Sequence, residues 1–319
     1  SCALFNKNGE LIANAPHIPI HLGAMSDTIK FLIRKHFDIF KKGISILHNN
    51  PFSGGTHLPD LTVVTPFLDN NKVAYYLANR AHHSDIGGIT PGSMPAFSKN
   101  INEEGIVFDG FPILEKGKIK EQELLKELTE KKYRSRDPEQ NLYDIKAQLA
   151  SNQRGILELK RIISSYGKQT VNKYVDYIKE NCSEIIFQEI KNISHSEFSS
   201  KMDNDALIKV KINFDKKIKK LKIDFTGSSE QLSNNFNAPL AVTKSVIIYF
   251  LRTLITKDIP LNEGFLKDIV TIIPKNSMLN PSYPSPVVAG NVETSQHLID
   301  ILNVALKVQS ACYGTMSNI

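Results

Sequence analysis

An α+β fold is predicted for this 319-residue chain. Three observations point to it: alternating apolar stretches near both ends, a long run of helical periodicity between them, and no regular β-then-α repetition. The division that follows places a β-rich, metal-bearing region over residues 1–118, a helical region over 119–203 and a second α+β unit over 204–319. With 41% hydrophobic and 23% charged residues, the composition suits a globular protein with a packed core.

The elements are read in chain order. Ala3, Leu4 and Phe5 make a strand, Asn6-Lys7-Asn8-Gly9 a turn, and Leu11 and Ile12 the return of a hairpin. Ser26 or Asp27 is placed to cap a helix with Ile29, Leu32, Ile33, Phe37 and Phe40 on one face, ending before Gly43. Residues 62–68 and 72–78 form two β-rich runs joined at Asp69-Asn70-Asn71. A turn centred on residue 70 sets Asp60 opposite Arg80 and His57 opposite His83, with His82 beside it. Residues 105–117 read as loop. Helices are expected over 121–132, 138–166 and 169–181, the long one carrying Leu142, Ile145, Leu149, Ile156, Leu159 and Ile163. Residues 206–225 alternate as a second half-buried hairpin, followed by helices near 239–256 and 294–308 around a Pro-rich loop at 274–290.

Several function classes are excluded or disfavoured. The net charge is +6, but the lysines are spread and interleaved with acids, and no basic block carries aromatic residues for base stacking, so no nucleic-acid partner is expected. Neither a membrane-length apolar run nor a signal peptide is present, and the chain reads as cytoplasmic with no membrane partner. Cys2, Cys182 and Cys312 are too scattered for a disulfide framework or zinc ribbon and read as small buried hydrophobes. GxxxxGK[ST], GxGxxG and GxSxG loops are absent, so nucleotide binding by such loops is not expected.

The chemistry concentrates in residues 53–88. His57 and Asp60, with His82 or His83 from the neighbouring strand, give a mixed imidazole and carboxylate set suited to Mn, Fe or Zn with a coordination position left open. Gly54 and Gly55 allow backbone to approach a ligand, though turns use glycine for plainer reasons. Asn291, Glu293, Thr294 and Ser295 stand at a helix start, where an anionic substrate group or simple capping accounts for them.

The segments SCALFNKNGELIANAPHIPIHLGAM, NNPFSGGTHLPDLTVVTPF, ANRAHHSDIGGITPGSMP, RDPEQNLYDIKAQLASN, DFTGSS, DIPLNEGF and VVAGNVETSQHLIDILNVAL occur in an order that resembles the hydantoinase B/5-oxoprolinase family over the whole chain. It also resembles the alpha subunit of acetone carboxylase. The resemblance implies ATP-dependent hydrolysis of 5-oxoproline or hydantoins in a hetero-oligomer. A hydantoinase A-type subunit or domain uses ATP to phosphorylate the substrate carbonyl, and the part resembled here opens the activated ring as phosphate leaves. It further implies a divalent metal on His57, Asp60 and His82, with His83 and Asp85 orienting a coordinating imidazole during catalysis. Gly54, Gly55, Asn291, Glu293, Thr294 and Ser295 are the expected substrate contacts. The chain departs from the family pattern at Asn50, Tyr143 and Ser317, within 313–318, and a family carboxylate expected just before Ser1 is not in the sequence. It therefore reads as the middle of a longer subunit, with a non-catalytic remnant or a ketone carboxylase as the alternatives.

Overall fold

The computed structural model describes residues 1–15, 17–257, 259–311 and 314–315, and Leu22 by its backbone alone. Expectations placed on Cys312, Tyr313, Met316, Ser317 and Asn318 lie outside the described residues. The fold is α+β, with six α-helices and two sheets among the described residues.

The larger sheet is antiparallel. Strands β1 (Cys2–Asn6), β2 (Leu11–Ala15), β3 (Ser45–His48), β4 (Asp60–Asp69), β5 (Lys72–His82), β6 (Asp109–Glu115) and β7 (Lys118–Ile119) lie in the order β2-β1-β5-β4-β3-β6-β7. The helix α1 (His21–Lys41) packs against β4 and β5, burying Met25, Ile29, Leu32 and Phe40. Helix α3 (Pro138–Tyr166) also contacts β4 and β5. It buries Leu142, Ile145 and Leu149 with Leu61 and Val63, and Ile156 and Leu159 with Tyr75 and Leu77. Because successive strand residues point to opposite faces, Tyr76 and Ala78 join the α1 side while Tyr75 and Leu77 meet α3.

The smaller sheet runs β11-β10-β9-β8, made of β8 (Ser196–Lys201), β9 (Leu207–Asp215), β10 (Lys220–Asp224) and β11 (Ile269–Ile272). Only the β10–β11 pair in it is parallel. Its inner residues Ile208, Val210, Ile212, Leu221 and Ile223 share one core with α4 (Lys168–Ile190), α5 (Leu240–Thr253) and α6 (Glu293–Leu306). That core continues into α1 and β1, since α5 packs directly on α1. A buried carboxylate adds a polar clamp: Glu104 accepts from Ser98 Oγ and from the backbone N–H groups of Val287 and Val288.

Several expectations require correction. Helix α1 begins at His21 and not at Ser26 or Asp27, which lie inside it, and Ile20 precedes it without a side-chain cap. Helix α2 (Glu121–Thr129) stops three residues early, whereas α4 runs on to Ile190. The stretch 105–117 contains β6, whose Gly110 and Pro112 read as loop signals. Pro112 is tolerated because the β3–β6 ladder is irregular there, with register shifts between Ser45 and Ile46 and between Leu47 and His48.

Candidate metal centre

The β4–β5 hairpin decides which side chains meet. Its loop is the two-residue pair Asn70-Asn71, both left-handed with φ of 49° and 59°, the conformation of a type I′ turn. A bulge between Phe67 and Leu68 then adds a residue to the register. Asp60 consequently faces His82, and Thr62 faces Arg80. The expected pairing of Asp60 with Arg80 is thus two residues out. A two-residue shift preserves the face on which each side chain lies, so Asp60, Arg80 and His82 still share the side turned to α1.

His57 reaches the same point from a turn, in which the Asp60 N–H donates to the His57 carbonyl. His57 Nε2 lies 3.1 Å from Asp60 Oδ1 and 3.2 Å from His82 Nδ1, and His82 Nδ1 lies 3.0 Å from Asp60 Oδ1. His57 and Asp60 are buried, while the His82 side chain is 44% exposed, so the cluster opens to solvent beside His82. These three are the group among the described residues able to hold a metal ion.

The spacing tests the fit. Ligand atoms roughly 2.0–2.2 Å from a common ion stand about 3.0 Å apart at right-angled positions and about 3.4 Å apart at tetrahedral ones. The observed edges of 3.0, 3.1 and 3.2 Å fall within the interval between the two values, so the three atoms are close enough to share one ion and favour neither geometry. Two imidazoles and a carboxylate form an accepted donor set for divalent transition metals.

Asp60 is prepared for such a role. Burial pushes its carboxyl up, but the neighbouring charge of His57 and the close approach of the His21, His57 and His82 rings outweigh this and hold it well below the usual carboxylate range. The hydrogen bond to Asp60 raises His82 above an ordinary imidazole. The outer oxygen, Oδ2, accepts from Thr56 Oγ1 and faces His21 Nε2 at 3.5 Å. Arg80 is buried beneath, donating to Thr62 Oγ1 at 2.8 Å, Thr28 Oγ1 at 2.9 Å and the Gly54 carbonyl at 3.2 Å. Burial depresses its guanidinium to about 10, opposed by the charge of Asp60.

His83 and Asp85 do not take the roles expected of them. Strand alternation turns His83 to the α3 side, where its ring lies 3.2 Å from Gln148 Oε1 and 3.1 Å from Asn141 Nδ2. Asp85 accepts from the backbone of Gly87 and Gly92 and pairs with Arg136 at 2.9 Å. Among the described residues neither hydrogen-bonds to the triad, so they hold the chain on either side of the site and orient no coordinating ring directly. Gly54 and Gly55 have structural reasons to be glycine. Gly54 has φ of 98°, and a Cβ on it would stand 2.4 Å from the Thr28 nitrogen; one on Gly55 would stand 2.3 Å from the Asn49 carbonyl oxygen.

The helix-start residues also behave differently from a capping box. Val292 precedes α6 without a side-chain cap. Thr294 Oγ1 donates to the Phe236 carbonyl, Ser295 Oγ to the carbonyls of Asn291 and Val292, and Thr315 Oγ1 to Glu293. Asn291 and Ser295 line a cavity of about 480 Å³ with Ile18, Ile20 and Tyr249, and none of the triad lines it.

His21, Thr56 and Gln148 are the site's neighbours that the sequence does not single out, whereas Arg80 is foreseen beside Asp60 but not as a buried group. A signal existed for His21, a second histidine four residues after His17 at the mouth of a helix. Nothing in the local pattern marks Arg80 as buried. Of the family departures, Asn50 accepts from the Phe52 N–H as the cap of a short 3₁₀ turn, and Tyr143 is exposed on α3.

The model of the family described as hydantoinase B/oxoprolinase matches residues 1–319. The 5-oxoprolinase 1 of Arabidopsis thaliana is 40% identical over 343 residues, covering 100% of this chain and 27% of that protein. The chain spans about a quarter of the length of the curated 5-oxoprolinases it matches. The ATP-dependent caprolactamase of Pseudomonas jessenii superposes with a TM-score of 0.88 at 21% identity, over 96% of this chain and 53% of that one. Acetone carboxylase in its nucleotide-free structure superposes with a TM-score of 0.83 at 15% identity, over 96% of this chain and 42% of that one. These two likenesses concern the fold. By the full-length match and the identity to 5-oxoprolinases, the chain belongs to the hydantoinase B/oxoprolinase family.

Proposed function

We propose that this chain is the B-type catalytic portion of an ATP-dependent cyclic-amide hydrolase, with 5-oxoproline the first substrate to test and hydantoins the next. The observation that carries the reading is the convergence of His57 Nε2, Asp60 Oδ1 and His82 Nδ1 within 3.2 Å of one another, open on one side, in a chain of this family. His57, Asp60 and His82 would hold a divalent ion, for which their imidazole and carboxylate donors suit Mn, Fe or Zn. Such an ion, when bound, polarises a substrate oxygen or lowers the pKa of a bound water.

The chain's own residues set the rest. The surrounding histidines keep Asp60 ionised, and Thr56 holds Oδ2 so that Oδ1 is the oxygen turned to the two imidazoles. Exposure at His82 gives a substrate its approach. Phosphorylation of the carbonyl oxygen belongs to an A-type partner that uses ATP, since this sequence has no phosphate-cradling loop. Gly54 and Gly55 remain candidate substrate contacts by their position beside the triad loop, and Asn291 and Ser295 by the cavity at the start of α6, while Glu293 and Thr294 stay candidates only by their place in the same first turn.

The test is 5-oxoproline opening by the full-length subunit with its A-type partner and ATP. Activity should fall to background in Asp60→Asn while the protein remains folded; undiminished turnover in that variant would sink the assignment. Acetone carboxylase shares the fold, which favours ketone carboxylation as the second reading. Acetone consumption in place of ring opening would select it.

A further inference from the structure

We propose that His21 is a positioning residue of the metal centre, donating from Nε2 to the outer oxygen of Asp60 so that Oδ1 alone is presented to the ion. This rests on the metal reading above and adds a residue to it.

His21 is the first residue of α1, and its ring is 1% exposed. Ser1 Oγ accepts the His17 N–H at 3.0 Å and lies 3.2 Å from His21 Nδ1. The Ser1 hydroxyl can donate to Nδ1 while its oxygen accepts from His17, and the ring hydrogen is assigned to Nε2, the nitrogen that faces the carboxylate. Nε2 is enclosed, has no hydrogen-bond partner within ordinary range among the described residues, and faces Asp60 Oδ2 at 3.5 Å. An enclosed N–H left unpaired is costly, and the carboxylate oxygen is the acceptor in front of it. Thr56 donates to the same oxygen. Two donors on Oδ2 fix the rotation of the carboxylate and leave Oδ1 between the two imidazoles. Groups that orient a coordinating side chain in this way are worth about 10- to 100-fold in metal affinity.

The experiment uses the full chain, Mn²⁺ as the probe for the variants with Fe²⁺ and Zn²⁺ run in parallel on the wild type, and competition with a chelator to measure affinity. His21→Leu fills the space without a donor, and His21→Gln supplies an N–H that can reach the same oxygen. His21→Leu should bind Mn²⁺ about 10- to 100-fold more weakly. His21→Gln should retain most of the wild-type affinity, and its Mn²⁺ electron paramagnetic resonance spectrum should match the wild type where that of His21→Leu does not. Metal-free melting temperatures of the variants should agree, which a purely structural role would not give. Wild-type affinity in His21→Leu, or equal losses in both variants, would overturn the inference. A wild-type chain that binds no Mn²⁺, Fe²⁺ or Zn²⁺ would instead remove the metal reading itself.

Discussion

Asp60 carries opposite demands on its two oxygens, one turned to a pair of imidazoles and the other held by Thr56. Its depressed pKa contributes stability that is present above the ordinary carboxylate value of 3.8 and lost as pH falls below it. Glu104 has the reverse sign. Burial raises its carboxyl to about 7, against an ordinary 4.5, despite hydrogen bonds from Ser98, Val287 and Val288. An acid raised in the folded state stabilises it fully below the unfolded value, and that stability is lost as pH climbs from 4.5 to about 7. The change amounts to about 3 kcal/mol. Chemical denaturation at pH 5 and pH 7.5 should show the intact chain losing stability across this window, and Glu104→Gln should flatten that slope whatever its absolute stability. An unchanged slope in the variant would refute the assignment. At this scale the sequence made His57, Asp60 and a histidine of the pair His82-His83 legible, because ligand-type side chains cluster on two segments with turn chemistry between them, and the family resemblance singled out His82. Thr56 was not legible as a neighbour of Asp60, and His21 left only a weak signal, because an outer contact depends on which ring nitrogen or hydroxyl faces the carboxylate.

Helix α3 fastens the hairpin that presents the site. Gln148 donates to the Leu61 carbonyl and to Asn79 Oδ1, and its own Oε1 lies against His83. Asn152 donates to the Val63 carbonyl, and Asn141 to the Asp85 carbonyl. Residues 141, 148 and 152 fall on one helical face, so a polar stripe runs through an otherwise apolar contact. Gln148→Leu would leave several of these buried groups unpaired and should destabilise the fold by about 3 kcal/mol in denaturant titration. A loss under about 0.5 kcal/mol, typical of a surface change, would contradict the role given to the stripe. The 138–166 helix was readable from periodicity because its apolar positions repeat on one face over many turns. The hairpin's face assignment was readable too, by parity alone. Its register was not, since the bulge at Phe67 and Leu68 leaves no mark in an alternating sequence, and β6 was hidden by Gly110 and Pro112.

The two sheets are joined by one apolar core, in which α1 of the first packs on α5 beside the second. Met25, Ile29, Leu32 and Phe40 of α1 share that core with Val242, Val246 and Leu251 of α5. Calorimetry of this chain should therefore give a single cooperative transition. More than one resolved transition would mean that at least one of the regions 1–118, 119–203 and 204–319, which stand as a proposed division, unfolds independently of the rest. No helix among the described residues is long and apolar enough to cross a membrane. The whole-chain order of motifs was what made the family legible, because many separated segments have to agree at once.

The account turns on whether His57, Asp60 and His82 hold an ion. The most direct measurement is elemental analysis by mass spectrometry of protein purified without chelators or a metal-binding tag, beside the His57→Ala/His82→Ala double variant. The account predicts near one equivalent of Mn, Fe or Zn in the wild type and loss of it in the variant. Metal absent from both, or equally present in both, would contradict it.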